Sequence, residues 1–239
     1  SKMVFASELN TICGILKFFK MPLEIEEEAI KFYLESGFFY QDSTPYKQVF
    51  AIPNAHYGIL NLNTFQLSIK PYFKLESYYQ LPKITKEQEA LEQCESLLKQ
   101  SIARRIESSD LEVGAFLSGG IDSSLIVALA SQMKPDLRTF TIRFENAAFD
   151  ESYLAERTAH KFGTKHQSLT ISTNLIQDVP KILQAYGRPF FDSSAIPSFY
   201  VAKAAKEHLS VVLNGDGADE LFGGYRRYVG HLLLPKILL

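Results

Sequence analysis

An apolar run, Gly114-Ala115-Phe116-Leu117, passes directly into Ser118-Gly119-Gly120-Ile121-Asp122-Ser123-Ser124 and then into an apolar stretch that ends near Met133. A buried strand that turns on paired glycines into a helix is the repeating unit of parallel sheets covered by helices. The turn has its own chemistry. Phosphate needs converging backbone N–H donors, and adjacent glycines let the chain curl close because no Cβ intervenes. Ser118, Ser123 and Ser124 can add hydroxyl donors, and the start of the next helix adds about half a unit of positive charge. Asp122 would repel a phosphate unless a cation lies between them, so its presence implies Mg²⁺. A bare Ser-Gly-Gly turn with an Asp helix cap is the plainer alternative. The loop also lacks the Gly-Lys-Ser/Thr ending that serves terminal phosphates in γ-transfer, which suits cleavage between the α and β phosphates of ATP.

Around this unit the pattern alternates. Thr85-Lys86-Glu87-Gln88 reads as a capping box opening a helix to about Arg105, with an apolar stripe of Leu91, Leu97, Leu98 and Ile102. Then come strand 113–117, helix 123–133, strand 139–144, helix 151–162, a short strand at 166–169, helices at 174–186 and 198–208, and strand 210–213. The expected fold is α/β: a mostly parallel sheet with helices on both faces, its ligands at the carboxyl ends of the strands. Before residue 80 the chain is rich in aromatics and turn residues. There Met3-Val4-Phe5-Ala6 reads as a short strand, residues 24–35 as a helix, and residues 57–62 and 65–69 as a hairpin about Asn63-Thr64.

The last strand ends in Asn214-Gly215-Asp216-Gly217-Ala218-Asp219-Glu220-Leu221-Phe222-Gly223-Gly224-Tyr225. Three carboxylates within five residues repel one another in a low-dielectric pocket unless a metal or a cationic group joins them. Asp219 is expected as a second Mg²⁺ ligand facing Asp122, and Asp216 as the carboxylate that orients or deprotonates an incoming amine. Glu220, in a first helical turn, is expected only to support them.

Composition excludes some partners. The 25 basic and 27 acidic side chains give a net charge of −2, with no basic patch for nucleic acid. No apolar run approaches the roughly 20 residues of a membrane span, and residues 1–10 lack the pattern of a secretion signal, so a cytoplasmic location is expected. Cys13 and Cys94 stand far apart and read as reduced, buried thiols.

Taken together, the segment from Gly114 to Ser124 and the segment from Asn214 to Tyr225 resemble the synthetase domain of glutamine-hydrolysing asparagine synthetases. Phe149-Asp150-Glu151 and the stretch from Pro189 to Pro197 agree with that pattern. Phe5-Ala6-Ser7-Glu8-Leu9 looks like the last core strand of the family's glutaminase domain, and Ile52-Pro53-Asn54-Ala55-His56-Tyr57 like one of its connecting loops. The resemblance implies an adenine nucleotide alpha hydrolase-like synthetase domain over residues 81–239. Residues 1–80 would be the C-terminal α+β part of an N-terminal-nucleophile glutaminase domain with its connector. The family's glutaminase uses an N-terminal Cys nucleophile, whereas the first residue here is Ser1 and Cys13 falls downstream of the matched strand, and the family's synthetase domain continues past the position of Leu239 to supply a catalytic Lys. The chain therefore looks like an internal part of a longer enzyme, unable by itself to hydrolyse glutamine.

The implied reaction joins ATP, Mg²⁺, a carboxylate such as aspartate, and ammonia from glutamine, through an acyl-AMP intermediate; a homodimer is a candidate assembly. By the same resemblance Leu117, Ile142, Asn214 and Gly215 hold adenosine, although on periodicity alone Leu117 and Ile142 are core residues. Two other readings stay open: a relative that amidates a sugar acid or peptide carboxylate or closes a β-lactam, and a non-catalytic ATP-binding module.

Overall fold

The computed structural model describes residues 3–144, 152–171, 175–192 and 194–237. In chain order the elements are α1 (Leu9–Phe18), α2 (Glu27–Ser36), β1 (His56–Leu60), β2 (Leu67–Pro71), α3 (Leu75–Tyr79), α4 (Glu87–Glu107), β3 (Val113–Phe116) and α5 (Ile121–Met133). They continue with β4 (Arg138–Phe144), α6 (Ser152–Phe162), β5 (Lys165–Ile171), α7 (Leu175–Tyr186), α8 (Ala195–Lys206), β6 (Val211–Leu213), α9 (Ala218–Phe222) and α10 (Arg226–Ile237). The chain divides into two compact units, Ser1–Lys83 with Asn174–Ala195, and Ile84–Thr173 with Ile196–Leu239.

In the first unit β1 and β2 form an antiparallel hairpin, with Gly58 opposite Ile69. The Asn61 side chain sets its turn by accepting the N–H groups of Asn63 at 2.9 Å and Thr64 at 3.0 Å, a local bond that competes with strand pairing. Helix α2 begins later than the spacing suggests. Ile25 is held in an antiparallel bridge to Tyr46, and the Glu26 N–H donates to Pro45 O at 2.9 Å, so the helix can start only beyond them. Its end matches the usual glycine stop: Gly37 has φ 81 and donates to Tyr33 O. The strand expected at Met3–Ala6 is absent. Those residues pair with no strand among the described residues, Phe5 is 82% exposed, and helix α1 starts at Leu9, inside the segment read as a glutaminase core strand. An apolar run without a sheet edge to join gains no ladder bonds.

The second unit is a four-stranded parallel sheet in the order β5-β4-β3-β6. Strand β3 is buried on both faces and sends alternate side chains to opposite sides of the sheet. Val113, Ala115 and Leu117 pack with Leu98, Ile102 and Ile106 of α4, Val127 and Ala130 of α5, and Ala155 and Ala159 of α6. Phe116, with Phe140 of β4, faces Ala205 of α8 and Leu209. Helices thus cover both faces, as the alternating pattern requires. Gly114 has no room for a side chain: a Cβ there would meet Leu209 and stand 2.8 Å from the Arg138 carbonyl oxygen.

Helix α4 differs from its expected start and face. It begins at Glu87 with Lys86 as N-cap and no side-chain capping bond, and the Gln88 amide donates to Glu92 instead of reaching back to Thr85. The buried stripe is Leu98, Ile102 and Ile106, whereas Leu91 and Leu97 are exposed. Cys13 and Cys94 are free but only half-buried. No helix among the described residues is long and apolar enough to cross a membrane.

Candidate functional site

The chain runs β3, β4, β5 outward on one side of β3 and then returns to lay β6 on the other. The carboxyl ends of β3 and β6 therefore flank the point where the strand order reverses, the place where parallel sheets open a crevice for ligands. Because Ala115 is opposite Leu213, the two chains leave the sheet at the same height, one into residues 117–120 and the other into residues 214–217. Ile142 pairs with Leu169 two residues beyond Phe140, which is opposite Phe116, so it overhangs the β3 end by roughly 7 Å.

The loop after β3 is braced from within. Leu117 is 1% exposed and donates its N–H to Phe140 O at 2.8 Å. Gly119 takes φ 85, a left-handed conformation that L side chains rarely adopt. Ser123 is buried and its hydroxyl ties the turn: it accepts the Ser118 N–H at 3.2 Å, lies 2.9 Å from Ser118 Oγ, and is 3.2 Å from the Gly120 carbonyl it can donate to. Ser118 Oγ in turn accepts the Gly120 N–H at 3.3 Å. Ser124 turns toward α6, 3.4 Å from Thr158 Oγ1. All three hydroxyls expected to face a phosphate thus have partners inside the protein, with Ser118 alone exposed.

What the loop presents outward is the start of α5. Its N-cap is Gly120, no side chain caps it, and its first intrahelical bond runs from Ser124 N–H to Gly120 O at 3.1 Å. The N–H groups of the first turn therefore have no acceptor within the helix and sum with its dipole into an anion-attracting end. Asp122 is exposed in that turn.

The loop after β6 approaches this helix end closely. A Cβ on Gly215 would stand 3.0 Å from both Ser123 N and Asp122 Cβ, and 3.1 Å from Asp122 C, so any side chain there would push the β6 loop and the start of α5 apart. Beyond it, the Asn214 amide donates to Asp216 Oδ2 at 2.8 Å. Gly217 has φ 94 and starts α9, and Gly223 has φ 70 and ends it. Asp216 and Glu220 are exposed and Asp219 half-buried. Leu221 is 75% and Phe222 65% exposed, so the acidic turn is open to solvent and not set in a low-dielectric pocket.

The structure therefore brings Gly215 against Asp122 and Ser123 at the carboxyl ends of β3 and β6, with Asn214 next to Gly215, Leu117 buried beneath the Ser118–Ser124 loop and Ile142 overhanging the β3 end. No group of three or more His, Cys, Asp or Glu side chains among the described residues is gathered for a metal. Phe149-Asp150-Glu151 and Ser193 lie outside the described residues. Three further residues touch those expected at the site. Thr158 meets Ser124, Gly224 packs on Asp219, and the Tyr225 hydroxyl donates to Glu220 Oε1 at 2.8 Å. That bond to a carboxylate pushes the Tyr225 phenol up to about 12. The glycine pair after Leu221-Phe222 was the visible sign of a close approach; Thr158 had none.

The model of the asparagine synthase family matches residues 93–236. The chain is 36% identical over 229 residues to the asparagine synthetase [glutamine-hydrolyzing] 1 of Bacillus subtilis, covering 95% of this chain and 35% of that protein. It is 32% identical over 186 residues to asparagine synthetase [glutamine-hydrolyzing] 2 of the same organism, covering 71% of this chain and 24% of that protein. Among solved structures, an NH3-dependent NAD synthetase from Campylobacter jejuni matches at 19% identity and a TM-score of 0.38, over 56% of this chain and 60% of that one. The chain thus spans about a third of the length of the first curated relatives it matches. With more than half of its residues matched to the family model, the chain belongs to the asparagine synthase family.

Proposed function

We propose that the crevice between the β3 and β6 ends binds ATP and supports ATP-dependent amidation of a carboxylate, with aspartate as the acceptor. The supporting observation is the meeting of the two loops at Gly215 and Asp122, at one height and at the point where the strand order reverses. In this reading the β- and γ-phosphates lie against the N–H groups at the start of α5. Adenosine rests at the strand ends, between Ile142 and the backbone of Leu117, Asn214 and Gly215. The acceptor carboxylate bonds to the α-phosphorus as the bond to the bridging oxygen breaks, and pyrophosphate departs into the Ser118–Ser124 loop. Ammonia then bonds to the acyl carbon and loses a proton, for which Asp216 is the exposed base, and AMP leaves with one carboxyl oxygen.

Mg²⁺ fits the donors present. Asp122 and Asp219 offer hard carboxylate oxygens, and among the described residues no three acidic side chains gather for an all-protein cage. That is the expected pattern for an ion bound by one or two carboxylates and substrate phosphates. When bound, Mg²⁺ would neutralise phosphate charge beside Asp122. The domain reading is proposed on the same footing: residues 81–239 as the first part of a synthetase domain, and residues 1–80 as glutaminase-derived chain and connector.

The test is exchange of labelled pyrophosphate into ATP by the protein with Mg²⁺ and aspartate, compared with other acids, alongside calorimetry with ATP. Asp122→Asn is expected to abolish exchange. Undiminished exchange in that variant refutes the role of Asp122, and binding without exchange in the unmodified protein favours an ATP-binding module.

A further inference from the structure

We infer that Gly224 and the Tyr225–Glu220 hydrogen bond form a clasp that fixes the direction of the Asp219 carboxylate, making both positioning elements for the metal–nucleotide site. This rests on the proposed reading of Asp219 as a metal ligand. The geometry is local. Helix α9 is a single short turn of chain between two glycines in the left-handed region, Gly217 at φ 94 and Gly223 at φ 70. Immediately after it the chain doubles back, and the Gly224 N–H donates to Asp219 O at 3.0 Å. The return brings Gly224 Cα onto the Asp219 side chain: a Cβ there would overlap Asp219 Oδ1 outright and lie 2.9 Å from its Cγ. The next residue closes the loop, with the Tyr225 hydroxyl donating to Glu220 Oε1 at 2.8 Å. The Arg227 guanidinium lies 5.0 Å over the Tyr225 ring.

A five-residue helix has too few internal bonds to hold its own shape. The main-chain bond from Gly224 and the Tyr225–Glu220 bond across its length supply that hold. One wall of the space available to the Asp219 carboxylate is the backbone of Gly224. A carboxylate that meets a metal ion bridged to phosphate must be held in direction as well as place, which is the work of the groups behind metal ligands.

Gly224 is a clean probe, because its φ lies outside the left-handed region. Alanine there is compatible with the backbone, and the atoms it displaces are chiefly the far end of the Asp219 side chain. Gly224→Ala should therefore turn the carboxylate while leaving the fold in place. Tyr225→Phe keeps the ring and removes only the hydroxyl.

The experiment measures binding of Mn²⁺·ATP by water-proton relaxation and of metal-free ATP by calorimetry, in the full chain and in Asp219→Asn, Gly224→Ala and Tyr225→Phe. Circular dichroism checks the fold. Gly224→Ala is expected to weaken Mn²⁺·ATP binding by about tenfold or more, and Tyr225→Phe by less, with metal-free ATP binding unchanged in both. If Asp219→Asn weakens Mn²⁺·ATP but Gly224→Ala and Tyr225→Phe do not, the clasp is overturned and the metal reading stands. If Asp219→Asn leaves Mn²⁺·ATP binding unchanged, the metal reading itself falls. Equal losses with and without metal assign the clasp to folding alone and overturn the inference. Should Gly224→Ala fail to fold, Tyr225→Phe decides by the same comparison.

Discussion

At Ser123 the residue type suggests one role and the local geometry shows another bond. A serine at the start of a helix after two glycines suits a phosphate donor, and the sequence carries no signal of which way its hydroxyl points. Once Gly119 turns the chain with φ 85, that hydroxyl sits among the Ser118 N–H, Ser118 Oγ and Gly120 O, and it becomes a staple. Ser123→Ala should cost about 1–3 kcal/mol in urea unfolding, since it leaves buried polar partners unmet, and should weaken ATP binding only through the loosened loop. Gly119→Ala is expected to cost about 1–2 kcal/mol from the left-handed backbone alone. His166 sets a different limit. Its Nδ1 lies 2.9 Å from Thr139 Oγ1, its Nε2 is buried without a hydrogen-bond partner among the described residues, and burial pulls its pKa below 6.5 despite the opposing pull of Glu156. The unfolded chain therefore takes up a proton at this histidine at higher pH than the native protein does. Stability contributed by the neutral ring is present above 6.5 and is lost as pH falls from there toward the lowered native value. Urea midpoints measured across that window should fall more steeply for the unmodified protein than for His166→Gln; parallel curves would remove His166 from the acid limb.

At the scale of elements, the buried β3–α5 unit was legible because both signals that identify it are local: a continuous apolar strand and a glycine turn. Strands β4, β5 and β6 followed from the same alternation. Elements that depend on a distant partner were not legible. Met3–Ala6 has the apolar composition of a strand but pairs with no strand among the described residues, and α2 starts after Glu26 because Ile25 is claimed by Tyr46. Helix α4 shows the same limit at its start. Thr85 and Gln88 have capping-box spacing, yet Gln88 bonds Glu92 and the N-cap position falls on Lys86, whose positive charge opposes the helix dipole. Lys86→Asp should therefore stabilise the protein by about 1 kcal/mol, while Thr85→Ala should change little. A loss of that size from Thr85→Ala, with no gain from Lys86→Asp, would move the helix start back to the threonine.

Across the whole molecule, burial is uneven, and so is the expected resistance to opening. Residues of β2 are exposed throughout and β1 is half-buried only at its ends, whereas β3 and the facing side of α5 are buried in one core cluster and Phe140 of β4 in a second. Backbone bonds that lie under little apolar cover open at lower free energy than those at the centre of a core. Hydrogen exchange followed by mass spectrometry should therefore release residues 56–71 well before residues 113–116 and 138–141. The same measurement tests how the two loops of the crevice act. They leave adjacent strands at one height and touch at Gly215, so a nucleotide lying against the start of α5 also covers the β6 loop. Added Mg²⁺·ATP should slow exchange in residues 118–124 and 214–224 together, with no change in residues 56–71. Protection confined to one of the two loops would show that the sheet ends do not form a single site, whatever the motifs on each suggest.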